Sequence, residues 1–204
     1  ETVQPSYQFI KALLNNEKGL HIDKDHFMTI SPDEGSMNRA IYLANVLGVD
    51  MGMYYKRLDY SRYVNGRHPI AAYEFLGPKI EGKDMILIDD MISSGDTIIK
   101  IASLLKEKGA GRVYICSTFG FFTDGLDKFD DAYKKGYFDK LLTTNLVYQS
   151  PELLEKPYYI SCDMSKYIAL IIDTLNHDNS VSHLLNPVDR IKRCVTNYMS
   201  QHEK

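Results

Sequence analysis

Apolar positions along the chain switch between helical and strand-like spacing, and the switching predicts a succession of helices and short strands. Phe9, Ile10, Leu13 and Leu14 fall on one face of a helix over residues 6–15. A polar, turn-like stretch at 16–25 leads into a short strand at 27–30. Ala40, Ile41, Ala44 and Leu47 then carry a helix over 37–47, closed by Gly48, and a strand follows at 51–55. Met85, Ile86, Leu87 and Ile88 form an unbroken apolar run, as expected for a strand buried on both faces of a parallel sheet. Ile98, Ile101, Ala102 and Leu105 recur at i, i+3, i+4 and i+7, a helix ended by Gly109. Strands are expected at 113–118, 141–146 and 158–162, with a helix around 126–134. Residues 165–175 read as a strongly apolar helix that buries Ile168, Ile171, Ile172 and Leu175. Asn186 and Pro187 supply the cap and first position of a last helix bearing Ile191, Val195 and Tyr198. The repeated strand–helix–strand order predicts an α/β fold, a parallel sheet flanked by helices. Residues 56–79 break the pattern. They mix Arg57, Arg62, Arg67 and His68 with Tyr60, Tyr63 and Tyr73, and their length favours a functional loop or flap over a turn.

The chemistry concentrates after the 85–88 strand. Asp89 and Asp90 stand where that strand is expected to leave the sheet, followed by Ser93, Ser94, Gly95, Asp96 and Thr97 at the start of a helix. Small residues leave backbone N–H groups open, and the helix dipole favours an anion there. Paired carboxylates accept hydrogen bonds from vicinal hydroxyls or help hold a hydrated Mg²⁺. Together these features predict a site for a phosphorylated sugar. Taken alone, the same stretch also reads as a polar turn with a good helix cap. The nucleotide motifs GxxxxGK[ST] and GxGxxG are absent.

Composition narrows the classes. The 204 residues, 44% hydrophobic, suffice for one sizeable core in a single domain. A net charge of −3 gives no basic footprint for nucleic acid, and no apolar run approaches a membrane span of about 20 residues. Cys116, Cys162 and Cys194 lack metal or disulfide spacing, which fits a reducing cytoplasm.

DDMISSGDT (89–97) resembles the phosphoribosyl-binding loop of the type I phosphoribosyltransferase fold. Six ordered segments, ISPDEGSMNRA (30–40), YYKR (54–57), EGKDMILIDDMI (81–92), GAGRVYICSTFG (109–120), LLTTN (141–145) and NSVSHLL (179–185), resemble the C-terminal half of the ribose-phosphate pyrophosphokinases. The resemblance implies the type I phosphoribosyltransferase fold, with this chain as one half of a longer homo-oligomeric protein. It implies a reaction in which ribose 5-phosphate and ATP give phosphoribosyl pyrophosphate and AMP, with Mg²⁺ as cofactor. Ser93, Ser94, Gly95, Asp96 and Thr97 would hold the 5-phosphate, and Asp89 and Asp90 the ribose hydroxyls. Asp33 would serve the metal and the pyrophosphate. Without the resemblance, Asp33 and Glu34 read as a solvated turn, and Lys56 and Arg57 as an exposed strand end. With it, Lys56 and Arg57 open a mobile cationic loop that screens the transferring group, with Arg62 as a third cation. Two positions depart from the family: Leu58 where a second Arg is usual, and Ser93 where Asp is usual. They keep two alternatives open: a phosphoribosyltransferase consuming phosphoribosyl pyrophosphate, and a non-catalytic regulatory homologue. The 204-residue chain by itself is expected to bind sugar phosphate without turning over. Gly95, in a surface loop, is expected to tolerate substitution with little loss of folding.

Overall fold

The computed structural model describes residues 3–63, 66, 68 and 70–202. Helix α1 (Ser6–Asn16) leads to strand β1 (Phe27–Ser31), and a 3-10 turn at Glu34–Ser36 opens α2 (Met37–Leu47). Gly48, with φ +71°, ends that helix and turns the chain into β2 (Asp50–Leu58). Then come β3 (Ile70–Leu76), β4 (Asp84–Ile92), α3 (Asp96–Glu107), β5 (Val113–Gly120) and α4 (Asp127–Lys134). The chain continues through β6 (Lys140–Thr144), α5 (Pro151–Leu154), β7 (Tyr159–Cys162), α6 (Ser165–Asn176), α7 (Ser182–Leu185) and α8 (Val188–His202).

The strands form one seven-stranded sheet in the order β3-β2-β1-β4-β5-β6-β7. Every pairing is parallel except β2 with β3. The apolar run in β4 explains why the sheet is covered on both sides. Met85 and Leu87 pack with Ile98, Ile101 and Leu105 of α3 and Phe129 of α4. Ile86 and Ile88 point the other way, into a second core with Phe9, Ile10 and Leu13 of α1, Leu43 of α2 and Ile191 of α8. A two-residue side-chain period between two helical layers requires this unbroken hydrophobic run.

Three expectations need correction. Residues 56–58 and 70–76 are strand rather than irregular loop: β2 runs on to Leu58 and β3 returns beside it, with Tyr55 opposite Glu74 and Arg57 opposite Ala72. Tyr73 and Phe75 pack on the core, and alternation of that kind in AAYEFL outweighs the scattered charges. Arg67 lies outside the described residues. Residues 165–175 are helical, but only Tyr167 is buried; Ile172 and Leu175 are 62% and 58% exposed. Ile168 and Ile171 are half-buried, because α6 stands off the sheet on a small cluster of Met164, Tyr167 and Leu184. Ile41 is also exposed, on the outer side of α2.

At the end of the sheet where β4 and β5 begin, Arg112 closes the structure. Its Nη2 and Nε lie 2.6 and 3.0 Å from Asp84 Oδ2, and its backbone N–H donates to Asp84 Oδ1. The guanidinium also donates to the carbonyls of Lys18 and Gly19, tying the α1–β1 connection to the sheet. The planar fork makes four hydrogen bonds to these three acceptors at once, and a lysine ammonium does not. Arg112→Ala should therefore lower the unfolding free energy by about 2–4 kcal/mol, because it leaves the half-buried Asp84 carboxylate unpaired. Urea titration checks this, and a loss below about 0.5 kcal/mol would show the clamp to be dispensable.

Candidate functional site

Chain direction puts the candidate residues together. From β1 the chain passes through α2 to β2 on one side; from β4 it passes through α3 to β5 on the other. The β1–β4 boundary is thus a topological switch point, where the loops leaving two parallel strands part and open a crevice. Ile30 is opposite Leu87, so the segments after Ser31 and after Ile88 emerge side by side. They enclose a cleft of about 280 Å³ lined by Asp33, Ser36, Asp89, Asp90 and the loop from Ser93 to Thr97.

Each side of the cleft is fixed by named contacts. Asp33 caps the 3-10 turn by accepting from the Gly35 N–H at 3.0 Å, and its other oxygen lies 2.8 Å from Lys56 Nζ. Ser36 donates to Asp89 Oδ1 at 2.6 Å, and the Asp90 N–H donates to the same oxygen at 2.8 Å. Arg39 Nη2 stands 3.4 Å from Asp90 Oδ2. Asp89 and Asp90 are part of the strand rather than beyond it: β4 continues to Ile92, with Asp89 opposite Ser117 and Met91 opposite Phe119. Burial, reinforced by the adjoining Asp90 carboxylate, pushes Asp89 up to about 6, against the pull of the Ser36 and Asp90 N–H hydrogen bonds.

Gly95 caps α3 with φ +84°. The first N–H groups of this 12-residue helix have no acceptor within it and face the loop that precedes it. The β5–α4 segment braces the loop from behind. Phe121 and Thr123 donate their N–H groups to the carbonyls of Ile92 and Ser93. Asp96 is held by Lys128 Nζ at 2.8 Å, and the Lys128 ion pair together with Ser94 lowers its pKa. Lys128 also reaches Asp124 at 2.9 Å.

The cations divide. Lys56 reaches the cleft residue Asp33 from outside the lining. Arg57, the next residue of the strand, points to the opposite face and pairs with Glu74 at 2.8 Å. Arg62 lies in the connection between β2 and β3, where its carbonyl is 2.8 Å from His68 Nδ1. Ser36, Arg39, Thr123 and Lys128 were missed in the sequence. The only sequence signal for them was local, with Ser36 in the acidic DEGS turn and Lys128 four residues after Asp124.

The profile of the phosphoribosyl synthetase-associated domain matches residues 67–186, more than half of the chain. The chain belongs to that family. Among curated relatives, the ribose-phosphate pyrophosphokinase of Vibrio parahaemolyticus is 29% identical over 163 residues, covering 79% of this chain and 49% of the relative. The ribose-phosphate pyrophosphokinase of Thermococcus kodakarensis is 31% identical over 121 residues, 59% of this chain and 39% of the relative. The crystal structure of phosphoribosylpyrophosphate synthetase from Mycobacterium smegmatis superposes with a TM-score of 0.66 at 21% identity, covering 85% of this chain and 51% of that one. That likeness establishes a shared fold. The chain spans about half the length of the curated relatives it matches. Helix α8 lies beyond the family match.

The expectation for Gly95 is corrected by its neighbours. The residue is buried, and a Cβ there would lie 2.3 Å from Cζ of Phe129, itself fully buried. Gly95→Val should therefore cost about 2–4 kcal/mol of stability, from overpacking and from a branched side chain at positive φ. Thermal unfolding of this variant distinguishes the two views: an unchanged midpoint would restore the surface-loop reading.

Asp89 gives a pH signature. Its folded-state pKa is raised from 3.8 to about 6, so the folded protein binds the extra proton between those values. Its contribution to stability is full below about 3.8 and is lost as pH rises through about 6. Asp89→Asn keeps an oxygen for Ser36 and the Asp90 N–H without the charge. The variant should gain on the wild type by up to about 3 kcal/mol between pH 4 and pH 7. A constant difference across that range would remove the buried charge as the cause.

Proposed function

We propose that the chain is the sugar-phosphate-binding half of a ribose-phosphate diphosphokinase. The observation that carries this reading is the convergence, at one switch point, of the Asp33 turn, the Asp89–Asp90 pair and the Ser93–Thr97 loop, with Lys56 reaching over them. The loop amides and the start of α3 take the 5-phosphate of ribose 5-phosphate. Asp90, half-exposed, accepts from a ribose hydroxyl, and Asp89, fixed by Ser36, aligns a second. Lys56 supplies charge to the diphosphoryl group that passes from ATP to the 1-hydroxyl, so that phosphoribosyl pyrophosphate and AMP result. No protein nucleophile enters, and the chain contributes orientation and electrostatics.

The donor set fits a Mg²⁺ ion carried largely by substrate. Among the described residues there is no cluster of three or more side chains able to hold a metal alone. Asp33, Asp89 and Asp90 instead offer one or two carboxylates beside a phosphate site, which is the usual protein share for this ion. When bound, Mg²⁺ would neutralise charge on the transferring phosphates. The ATP-binding surface is assigned to the other half of the longer protein or to a second copy, in a homo-oligomer. The described helices include none long and apolar enough to cross a membrane.

A non-catalytic role is favoured by one specific observation: Arg57 is turned away onto Glu74 and Leu58 follows it, so of the Lys56–Arg57 pair only Lys56 reaches the cleft residue Asp33. Both readings share the sugar-phosphate site. By calorimetry the chain should bind ribose 5-phosphate, and the Asp89→Asn/Asp90→Asn double variant should bind it at least about tenfold more weakly while remaining folded. With ATP and Mg²⁺ the isolated chain should form AMP far below ~1 s⁻¹. Ribose 5-phosphate-dependent AMP formation at that rate would overturn the half-enzyme reading. Absence of ribose 5-phosphate binding would overturn the site.

A further inference from the structure

A second cavity, of about 440 Å³, lies away from the cleft between α1, β7, α6 and α8. Three cations line it: Lys11 from α1, Lys166 from α6 and Arg190 from α8. The Arg190 guanidinium is sandwiched between the rings of Tyr7 and Tyr167, 5.4 and 5.6 Å from their centres, and donates to the Leu184 carbonyl at 2.6 Å. These contacts orient it without neutralising it. Neither lysine forms an ion pair among the described residues.

Asp163 is the one carboxylate in the lining, and its Oδ1 is already engaged by the Ser165 N–H and Asn145 Nδ2. Hydrogen bonding from the Ser165 side chain, then from the Ser165 N–H and Asn145, with a smaller contribution from the Lys11 charge, holds Asp163 below its ordinary pKa. On a chain of net charge −3, three cations facing one carboxylate across a single cavity make a local positive field. The Gln8 amide lines the same space, and its oxygen is buried without a hydrogen-bond partner among the described residues. The rest of the wall is apolar, from Ala12, Ile160 and Leu170.

We infer that this cavity binds a small molecule in which a phosphomonoester is attached to a flat or apolar body. Lys11, Lys166 and Arg190 meet the dianion, the Gln8 amide donates beside them, and the body lies against the tyrosine rings and the aliphatic wall. Arg190 comes from α8, whose residues lie beyond the stretch matched by the family profile.

Phenyl phosphate is the probe, since it has no sugar hydroxyls for Asp89 and Asp90. Followed by ¹H–¹⁵N spectra of the full chain, it should shift the amides of Gln8, Lys11, Ser161 and Tyr167. It should bind there more tightly than methyl phosphate, which lacks the ring. Lys11→Gln/Lys166→Gln changes two exposed side chains, so folding should be kept. That variant should weaken the response at these amides about tenfold or more, while ribose 5-phosphate binding at the amides of 94–97 is unchanged. The inference is overturned if phenyl phosphate shifts only residues 94–97, if the double variant binds it as tightly as the wild type, or if millimolar probe shifts nothing. Equal affinity for methyl phosphate would overturn the assignment of a flat or apolar body.

Discussion

Parallel pairing of β1 with β4 places Ile30 against Leu87, and everything in the cleft inherits its position from that register. A slip of one residue would turn the alternating side chains of β4 to the wrong helical layer. It would also separate Ser36 from Asp89, the contact that ties the turn after β1 to the acidic pair. The two cores enforce the register from both sides, with Leu87 in one and Ile86 and Ile88 in the other. The carboxylates are thereby held close together by hydrophobic packing several residues away. The raised pKa of Asp89 is the electrostatic cost of that placement.

Much of this was legible in the sequence, for identifiable reasons. Strand β4 declared itself because a sheet covered on both faces needs consecutive apolar residues, and α3 because its buried stripe repeats at helical spacing. The Asp89–Thr97 segment was legible as a strand-to-helix connection because small, hydroxyl-bearing residues follow an apolar run and precede a helical stripe. What failed was long-range. Period-two alternation in β3 is short and follows a charged stretch, so a strand passed for a loop. Helix α6 showed its apolar residues plainly, but their burial depends on what packs against them, and α6 meets little besides α7. Gly95 was placed in a surface loop because nothing local reveals Phe129, more than thirty residues on, behind it.

The hairpin decides where the side chains around Leu58 point. Strand alternation sends Lys56 and Arg57 to opposite faces, so one of any two adjacent cations on β2 must turn from the cleft. Ladder irregularity between Arg57 and Leu58 then sets the direction in which the next residue points. At Ser93, a hydroxyl rather than a carboxylate meets Thr123, 3.3 Å away, and no like-charge repulsion arises with Asp89, Asp90 and Asp96 nearby. Lys128 offsets the charge of Asp96 in the same loop.

The Tyr198 hydroxyl of α8 accepts from the Leu20 N–H and donates to the Glu17 carbonyl, across 178 and 181 residues of chain. During synthesis, therefore, α1 can meet its sheet contacts long before it meets α8. Until residues 188–202 emerge from the ribosome, the seam beside Phe9, Ile10 and Leu13 lacks Ile191 and Tyr198. The nascent domain must wait with apolar surface open, a state prone to aggregation and a natural client for chaperones.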